Sequence, residues 1–181
     1  KVIEREPLLM IMDGHAMVHR SFRAISTQRH LTVNATGEDV TGVYGFANVF
    51  LRALQEWNPA YCAIAFDTSA PTFRHKQFEA YKAQREATPE ELRPQFGRVK
   101  QLMECFGVPV YELEGWEADD VIGTLAAQAE KIGLDSVILT GDRDTFQLIS
   151  PKIRVDLASS IQDRKVYDEA ELAKRYSGLT A

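Results

Sequence analysis

Two short acidic clusters, Glu117-Ala118-Asp119-Asp120 and Asp142-Arg143-Asp144, and two single aspartates, Asp13 and Asp67, supply the residue types from which a site for hard cations is built. Glu117 and Asp120 are three apart, which puts them on one side of a helix, with Asp119 beside that face. Each position also has a plainer explanation: dipole compensation at a helix start for the first cluster, capping for Asp142 or Asp144, and turn formation for Asp13 and Asp67. Together they are harder to explain that way. Like charges packed closely without a partner are costly and push some carboxyl pKa values up, and divalent cations remove that cost. Oxygen-only donors favour Mg²⁺ or Mn²⁺. The four histidines, His15, His19, His30 and His75, form no HExxH zinc pattern. Such ions suit phosphoryl chemistry: one acidifies and orients a water, and a second, roughly 4 Å away, stabilises the leaving oxygen. The absence of a GxSxG elbow and of a GxxxxGK[ST] loop argues against an acyl hydrolase and a nucleotide-driven motor.

Charge is distributed unevenly. Seven Lys or Arg residues lie between Arg74 and Lys100, interrupted by four glutamates, whereas positions 114–144 carry eight acidic residues against Lys131 and Arg143. A net charge of -5 weighs slightly against a nucleic-acid partner. The polarity nonetheless suits a protein that holds cations in one place and phosphates in another. If the segment after Phe73-Arg74 is partly helical, Phe78, Tyr81, Lys82 and Arg85 share one side. The cations would meet phosphates and the rings would stack on bases or sugars, or the aromatics would simply anchor a surface segment. Arg20, shortly after the first strand–loop junction, can reach the same substrate or stand exposed on its helix.

The elements that must position these side chains follow from periodicity. Leu8–Met12, Tyr61–Phe66, Val108–Tyr111 and Asp135–Thr140, the last with Ser136–Leu139 as its core, predict buried strands, with Ile153–Val155 a fifth. Pro109 keeps the third from a central place. Helices are predicted over His15–Ile25, Val40–Trp57, from Thr88-Pro89-Glu90-Glu91 to about Phe106, over Trp116–Ile132, from Gly141-Asp142 through Ile149, and over Asp168–Tyr176. Strands alternating with helices predict an α/β fold, a mostly parallel central sheet with helices on both faces. Sites in such sheets lie beyond the C-terminal strand ends, where Asp13, Asp67 and Asp142 all fall. Trp116, Tyr44 and Phe46 are expected to pack inside. His15 is expected to make a local hydrogen bond rather than act as a catalyst. Gly42 and Gly45 would let the second helix approach either the substrate or another helix.

A chain of 181 residues, 45% hydrophobic, can build one ordinary domain with a sizeable core. Cys62 and Cys105 lie in apolar surroundings and are expected to be buried free thiols, as in a reducing compartment. No run has the length of a membrane span and residues 1–7 lack a signal-peptide pattern, so the expectation is a cytoplasmic protein without membrane contact.

The motifs Asp13-Gly14-His15, Phe66-Asp67, Phe73-Arg74-His75, Tyr81-Lys82, Gly115-Trp116-Glu117-Ala118-Asp119-Asp120 and Thr140-Gly141-Asp142-Arg143-Asp144, in this order across almost the whole chain, resemble the 5′-nuclease domain of bacterial DNA polymerase I. More widely they resemble the flap endonuclease family. The resemblance implies a PIN-like, flap-endonuclease catalytic core over residues 1–181, with a clamp or arch segment at 68–95. It implies a structure-specific 5′→3′ exonuclease and flap endonuclease that removes primers and flaps in replication and repair. Asp13, Asp67, Glu117, Asp119, Asp120, Asp142 and Asp144 fall on the family's acidic metal positions. Asp67, Glu117, Asp119 and Asp142 would hold metal directly, while Asp13, Asp120 and Asp144 would act through water or hold neighbouring groups. Lys82 would stand near the scissile phosphate and Tyr81 would place the terminal nucleotide. Arg20, Phe73, Arg74 and Arg85 would complete the substrate side. The cofactor would be Mg²⁺, with Mn²⁺ able to substitute, and two or more ions in a complete domain. The partner would be DNA with a 5′ end, flap or nick, including RNA-primed strands, bound by a monomer on the bacterial nucleoid. A polymerase domain is possible in a longer chain. The family's GDxSDNxPG-like segment and helix-hairpin-helix module are not found before Ala181, so a C-terminally incomplete core is expected. An RNA-directed nuclease of the same fold and an inactive nucleic-acid-binding module are the alternatives.

Overall fold

The structure, a computed structural model, describes residues 6–78, 81, 87–158 and 164–176. β1 (Leu8–Asp13), β2 (Tyr61–Phe66), β3 (Val110–Glu112), β4 (Asp135–Thr140), β5 (Ile153–Ala158) and β6 (Arg164–Tyr167) form one sheet in the order β3-β2-β1-β4-β5-β6. The first five strands are parallel, and β6 runs antiparallel to β5. Strand side chains alternate between faces, so β1 sends Met10 and Met12 into one core and Ile11 into the other. The first core receives Phe22 from α1 (Gly14–Ser26), Phe46 and Phe50 from α2 (Thr41–Trp57), and Val99 and Met103 from α4 (Arg93–Cys105). The second receives Ile122 and Ala126 from α5 (Ala118–Lys131), Phe146 from a 3₁₀ helix (Arg143–Leu148), and Leu172 from α6 (Glu169–Arg175). This is the expected α/β layering. The order also reverses direction between β1 and β4, so the chain leaves their C-terminal ends toward opposite faces and opens a crevice there.

Gly42 and Gly45 serve helix packing. A Cβ on Gly45 would stand 2.9 Å from Ser21 Cβ and 3.1 Å from the Ser21 carbonyl oxygen on α1. α2 can thus settle closely on the helix that follows Asp13.

Several expectations are corrected. The helix expected from Thr88 begins at Arg93; Pro89 instead opens a turn, its carbonyl accepting from Leu92 and Arg93 amides. A helix running through this stretch would put Pro94 in its interior, where the ring clashes with the preceding turn; at the first turn it is tolerated. α5 begins at Ala118, which leaves Trp116 outside the helix and 48% exposed. Tyr44 is 54% exposed because it shares the solvent side of α2 with Leu51, opposite Phe46, Phe50 and Ala53. Cys62 is half-buried and Cys105, the last residue of α4, is exposed; both are free. β6 was not anticipated: Arg164 and Lys165 break any apolar run, and the strand is recruited by pairing with β5 while Tyr167 anchors it in the core. Among the described residues no helix is long and apolar enough to cross a membrane.

Candidate active site

The C-terminal end of β1 places Asp13, 5% exposed, as the cap of α1. Its Oδ1 accepts from the Ala16 amide at 3.0 Å, and its Oδ2 accepts from Thr140 Oγ1 at 2.8 Å. Thr140 closes β4, so two adjacent parallel strands are tied at their ends through one buried carboxylate. Burial, with the added repulsion of Asp119 and Asp67, raises the Asp13 pKa to about 6. Thr140 Oγ1 also accepts from the Asp142 amide at 3.0 Å, and Asp142 Oδ1 in turn caps the 3₁₀ helix by accepting from the Asp144 amide at 3.0 Å. Residue type and spacing did not single out Thr140; its position before Gly141-Asp142 at a strand terminus was the available signal.

Asp67 follows β2 directly. Its Oδ1 accepts from the Ala118 amide, the first of α5, at 2.7 Å, and its own amide donates to His15 Nδ1 at 3.1 Å. His15 thus makes a hydrogen bond, but across the sheet to a residue 52 positions away and not the local one expected of it. A carboxylate aimed at a helix N-terminus meets the positive end of the helix dipole. Glu117 is the extended residue before α5, 6% exposed, and its amide donates to Asp120 Oδ2 at 3.0 Å. Glu117 and Asp120 are thus linked by a cap, not by the shared helical side predicted for them.

Arg74, on the five-residue α3 (Phe73–Gln77), faces this pair. Its two terminal nitrogens lie 2.7 and 2.8 Å from the Asp120 oxygens, a forked pair, and Nη1 lies 3.3 Å from Glu117 Oε2. The hydrogen bonds to Asp120, then the nearby negative charge, push the guanidinium further above its ordinary value. Tyr81 donates its hydroxyl to Glu117 Oε2 at 3.1 Å. Arg74, Tyr81, Glu117, Asp119, Asp120 and Asp144 line one cleft of about 610 Å³. A neighbouring cavity of about 640 Å³, lined by His19, Arg20, Arg23 and Asp142, opens on the other side of the strand ends. There Arg20 Nη2 donates to the Gly141 carbonyl at 2.7 Å, and burial, then Arg143, lower its pKa.

All seven predicted carboxylates thus lie at or just beyond the C-terminal ends of the strands: Glu117, Asp119, Asp120 and Asp144 line one cleft, Asp142 lines the other, and Asp13 and Asp67 stand at the ends of β1 and β2. Among the described residues, no three His, Cys, Asp or Glu side chains are grouped closely enough to form a ready metal cage. Arg74 draws on Asp120 and Glu117 while Asp67 is turned to the start of α5. The donor set still fits a hard cation: it is all oxygen, and Arg74 already supplies positive charge to two of its members, Glu117 and Asp120. Helix α3 ends at Gln77, and Phe78 is extended (φ -142°, ψ 102°), so the helical side proposed for Phe78 and Tyr81 does not run through them. Phe73 is half-buried against Trp116. Lys82 and Arg85 lie outside the described residues.

Residues 8–177 match the family model for the 5′-3′ exonuclease N-terminal resolvase-like domain. DNA polymerase I of Chloroflexus aurantiacus is 46% identical over 176 residues, covering 96% of this chain and 18% of the polymerase. The chain therefore spans less than a fifth of the relative it matches. Among solved structures, the T5 D15 protein co-crystallised with metal ions superposes with a TM-score of 0.68 at 18% identity, covering 94% of this chain and 61% of that one. The catalytic core of Rad2 in complex with DNA substrate gives 0.57 at 16% identity, covering 95% and 51%. At these identities the two structures establish the fold.

Proposed function

Because the chain belongs to the 5′-3′ exonuclease N-terminal resolvase-like domain family, we propose that it hydrolyses DNA phosphodiesters at 5′ ends and 5′ flaps with divalent metal ions, in primer and flap removal during replication and repair. The observation that carries this reading is the approach of carboxylates from four separate stretches of chain to the C-terminal ends of the parallel strands, with Arg74 and Tyr81 facing Glu117 there. We read residues 1–181 as the catalytic core and 68–95 as its clamp. The core would work as a single copy on the bacterial nucleoid, within a polymerase I-like longer chain.

Asp67, Glu117, Asp119 and Asp142 would hold metal directly, with Asp13, Asp120 and Asp144 behind them. When bound, Mg²⁺, or Mn²⁺ in its place, supplies Lewis-acid stabilisation of the phosphate and makes a nearby water more acidic. The chain's own residues do the rest. Asp13 and Thr140 fix the β1 and β4 ends against each other, so Asp142 keeps a constant aim. Arg74 stands where negative charge would develop on the phosphate and can exchange its carboxylate partners for phosphate oxygens. Tyr81 would set the terminal nucleotide, Phe73 would support Arg74 from below its guanidinium, and Arg20 would meet the strand from the neighbouring cavity. Lys82 and Arg85 carry the family's clamp roles on motif alone.

The test is cleavage of a 5′-labelled flap duplex with Mg²⁺, with Mn²⁺ and with EDTA, against an RNA flap of equal sequence. Metal-dependent release of the DNA flap is expected. No cleavage of DNA by the protein under any metal, or a strong preference for RNA, would sink this reading.

A further inference from the structure

Trp116 is expected in the core, yet it packs only against Phe73 among the ring contacts of the described residues and stays 48% exposed, next in the chain to Glu117 of the carboxylate cleft. The indole is held there by built structure. Gly115 takes φ +83°, a left-handed conformation that suits glycine, and turns the chain out of β3. The Trp116 amide donates to the Leu113 carbonyl at 3.2 Å, and the Gly115 carbonyl accepts from the Phe73 amide at 2.9 Å. The Phe73 ring buttresses one side of the indole, with centroids 5.1 Å apart and planes at 59°. The Arg74 guanidinium lies 4.5 Å above the centre of that same Phe73 ring and reaches on to Asp120. An aromatic–aromatic–cation series therefore runs from solvent into the cleft, and Glu117, next in the chain, already lines it.

We propose that Trp116 is a stacking platform for one nucleobase of the single-stranded 5′ segment, placed so that the phosphate of that segment meets Arg74. This rests on the nuclease reading above and names how its substrate is held. A flat aromatic face that is rigidly presented suits a base, because every base has a π-face and stacking tolerates any sequence. Four carboxylates line the cleft, so a polyanion would enter only with divalent cations over them, and the cations of α3 would then meet its phosphates. A polyanion entering the cleft finds Arg74 beside the platform and Lys76 exposed on the same short helix. An apolar protein partner covering the indole would also have to cover the charged cleft walls. Trp116 is thus a positioning residue, acting on substrate placement and not on the reacting atoms.

The experiment combines variants with an abasic scan. A set of 5′-flap duplexes, each with one flap nucleotide replaced by an abasic residue, is cleaved by the protein, by Trp116→Phe and by Trp116→Ala under Mg²⁺. At one flap position the abasic residue should raise KM about tenfold for the protein and for Trp116→Phe. For Trp116→Ala, KM should already be raised to that level on the intact flap and should change less than about twofold at that position, with kcat at saturation within about threefold. Trp116→Leu, which keeps bulk without an aromatic face, replaces the alanine variant if circular dichroism shows that it fails to fold. A flat abasic profile in the protein, or a profile that Trp116→Ala leaves intact, overturns the stacking role while cleavage itself upholds the nuclease reading. Absence of metal-dependent cleavage of the intact flap overturns that reading and the stacking role with it.

Discussion

The acids at the strand ends and the arginine that faces their neighbours are held in different ways. On the sheet side, Asp13, Thr140 and Asp142 are locked by backbone and hydroxyl hydrogen bonds at the ends of two central parallel strands. On the other side, Arg74 sits on a five-residue helix tied by the Phe73 amide, by the contact of the Phe73 ring with Trp116, and by the carboxylates that Arg74 pairs with. The strand-end acids are positioned by the fold, whereas the guanidinium is positioned in large part by the carboxylates it pairs with. Under the proposed function, such an arrangement would keep the acids in fixed places and leave the guanidinium free to exchange partners.

Substitutions can break this contrast, and the largest effects are expected at the acids. Asp67→Asn or Glu117→Gln should lower flap cleavage on the order of 10³-fold with the fold retained, as checked by single-turnover kinetics and circular dichroism. On the clamp side, Arg74→Ala should cost about 10²-fold in cleavage, and Arg74→Lys should recover little of it because a lysine cannot make the forked pair. The stability change should stay within about 1 kcal/mol, since the pair is partly open to solvent. If Arg74→Ala unfolded the domain, the two sides would be equally structural and the contrast would fail.

Thr140→Val should lower cleavage about 10- to 100-fold by loosening Asp13 and Asp142 together. It should also reduce stability by about 1–3 kcal/mol, since a buried carboxylate loses a donor; urea melts would show it. Asp13→Asn gives a stability effect of opposite sign. The Asp13 pKa of about 6 lies above its unfolded value near 4. The folded state therefore binds more protons across that window, and stability conferred by the protonated form is lost as pH rises through about 6. In EDTA, Asp13→Asn should raise stability at pH 8 by about 1–3 kcal/mol and flatten its fall between pH 4 and 6. Melts that keep the wild-type pH slope would show that the stress on Asp13 is relieved elsewhere. The smallest effect on activity belongs far from the cleft. Trp57→Phe loses the hydrogen bond from Nε1 to Asp156 Oδ2 at 2.8 Å and should cost about 1 kcal/mol with cleavage unchanged.

Much of this architecture was legible because parallel strands buried on both faces read as unbroken apolar runs, and each of Asp13, Asp67 and Asp142 follows one. What periodicity could not supply came from tertiary partners. The edge strand β6 exists through its pairing with β5, and the start of α4 was decided by Pro94 and not by the capping pattern at Thr88. Trp116 was misplaced because a helix carried back to it would have buried it, whereas Asp67, from a distant loop, caps α5 at Ala118. The grouping of the acids was visible in their types. Their division between two clefts depends on Arg74 and Thr140, whose partners lie 46 and 127 residues away.

The hydroxyl–carboxylate tie between β4 and β1 has a consequence for synthesis. Since Asp13 waits for a partner 127 positions downstream, the ribosome must have delivered most of the domain before the crevice can take shape. A nascent or prematurely terminated chain would carry the same acids without their geometry.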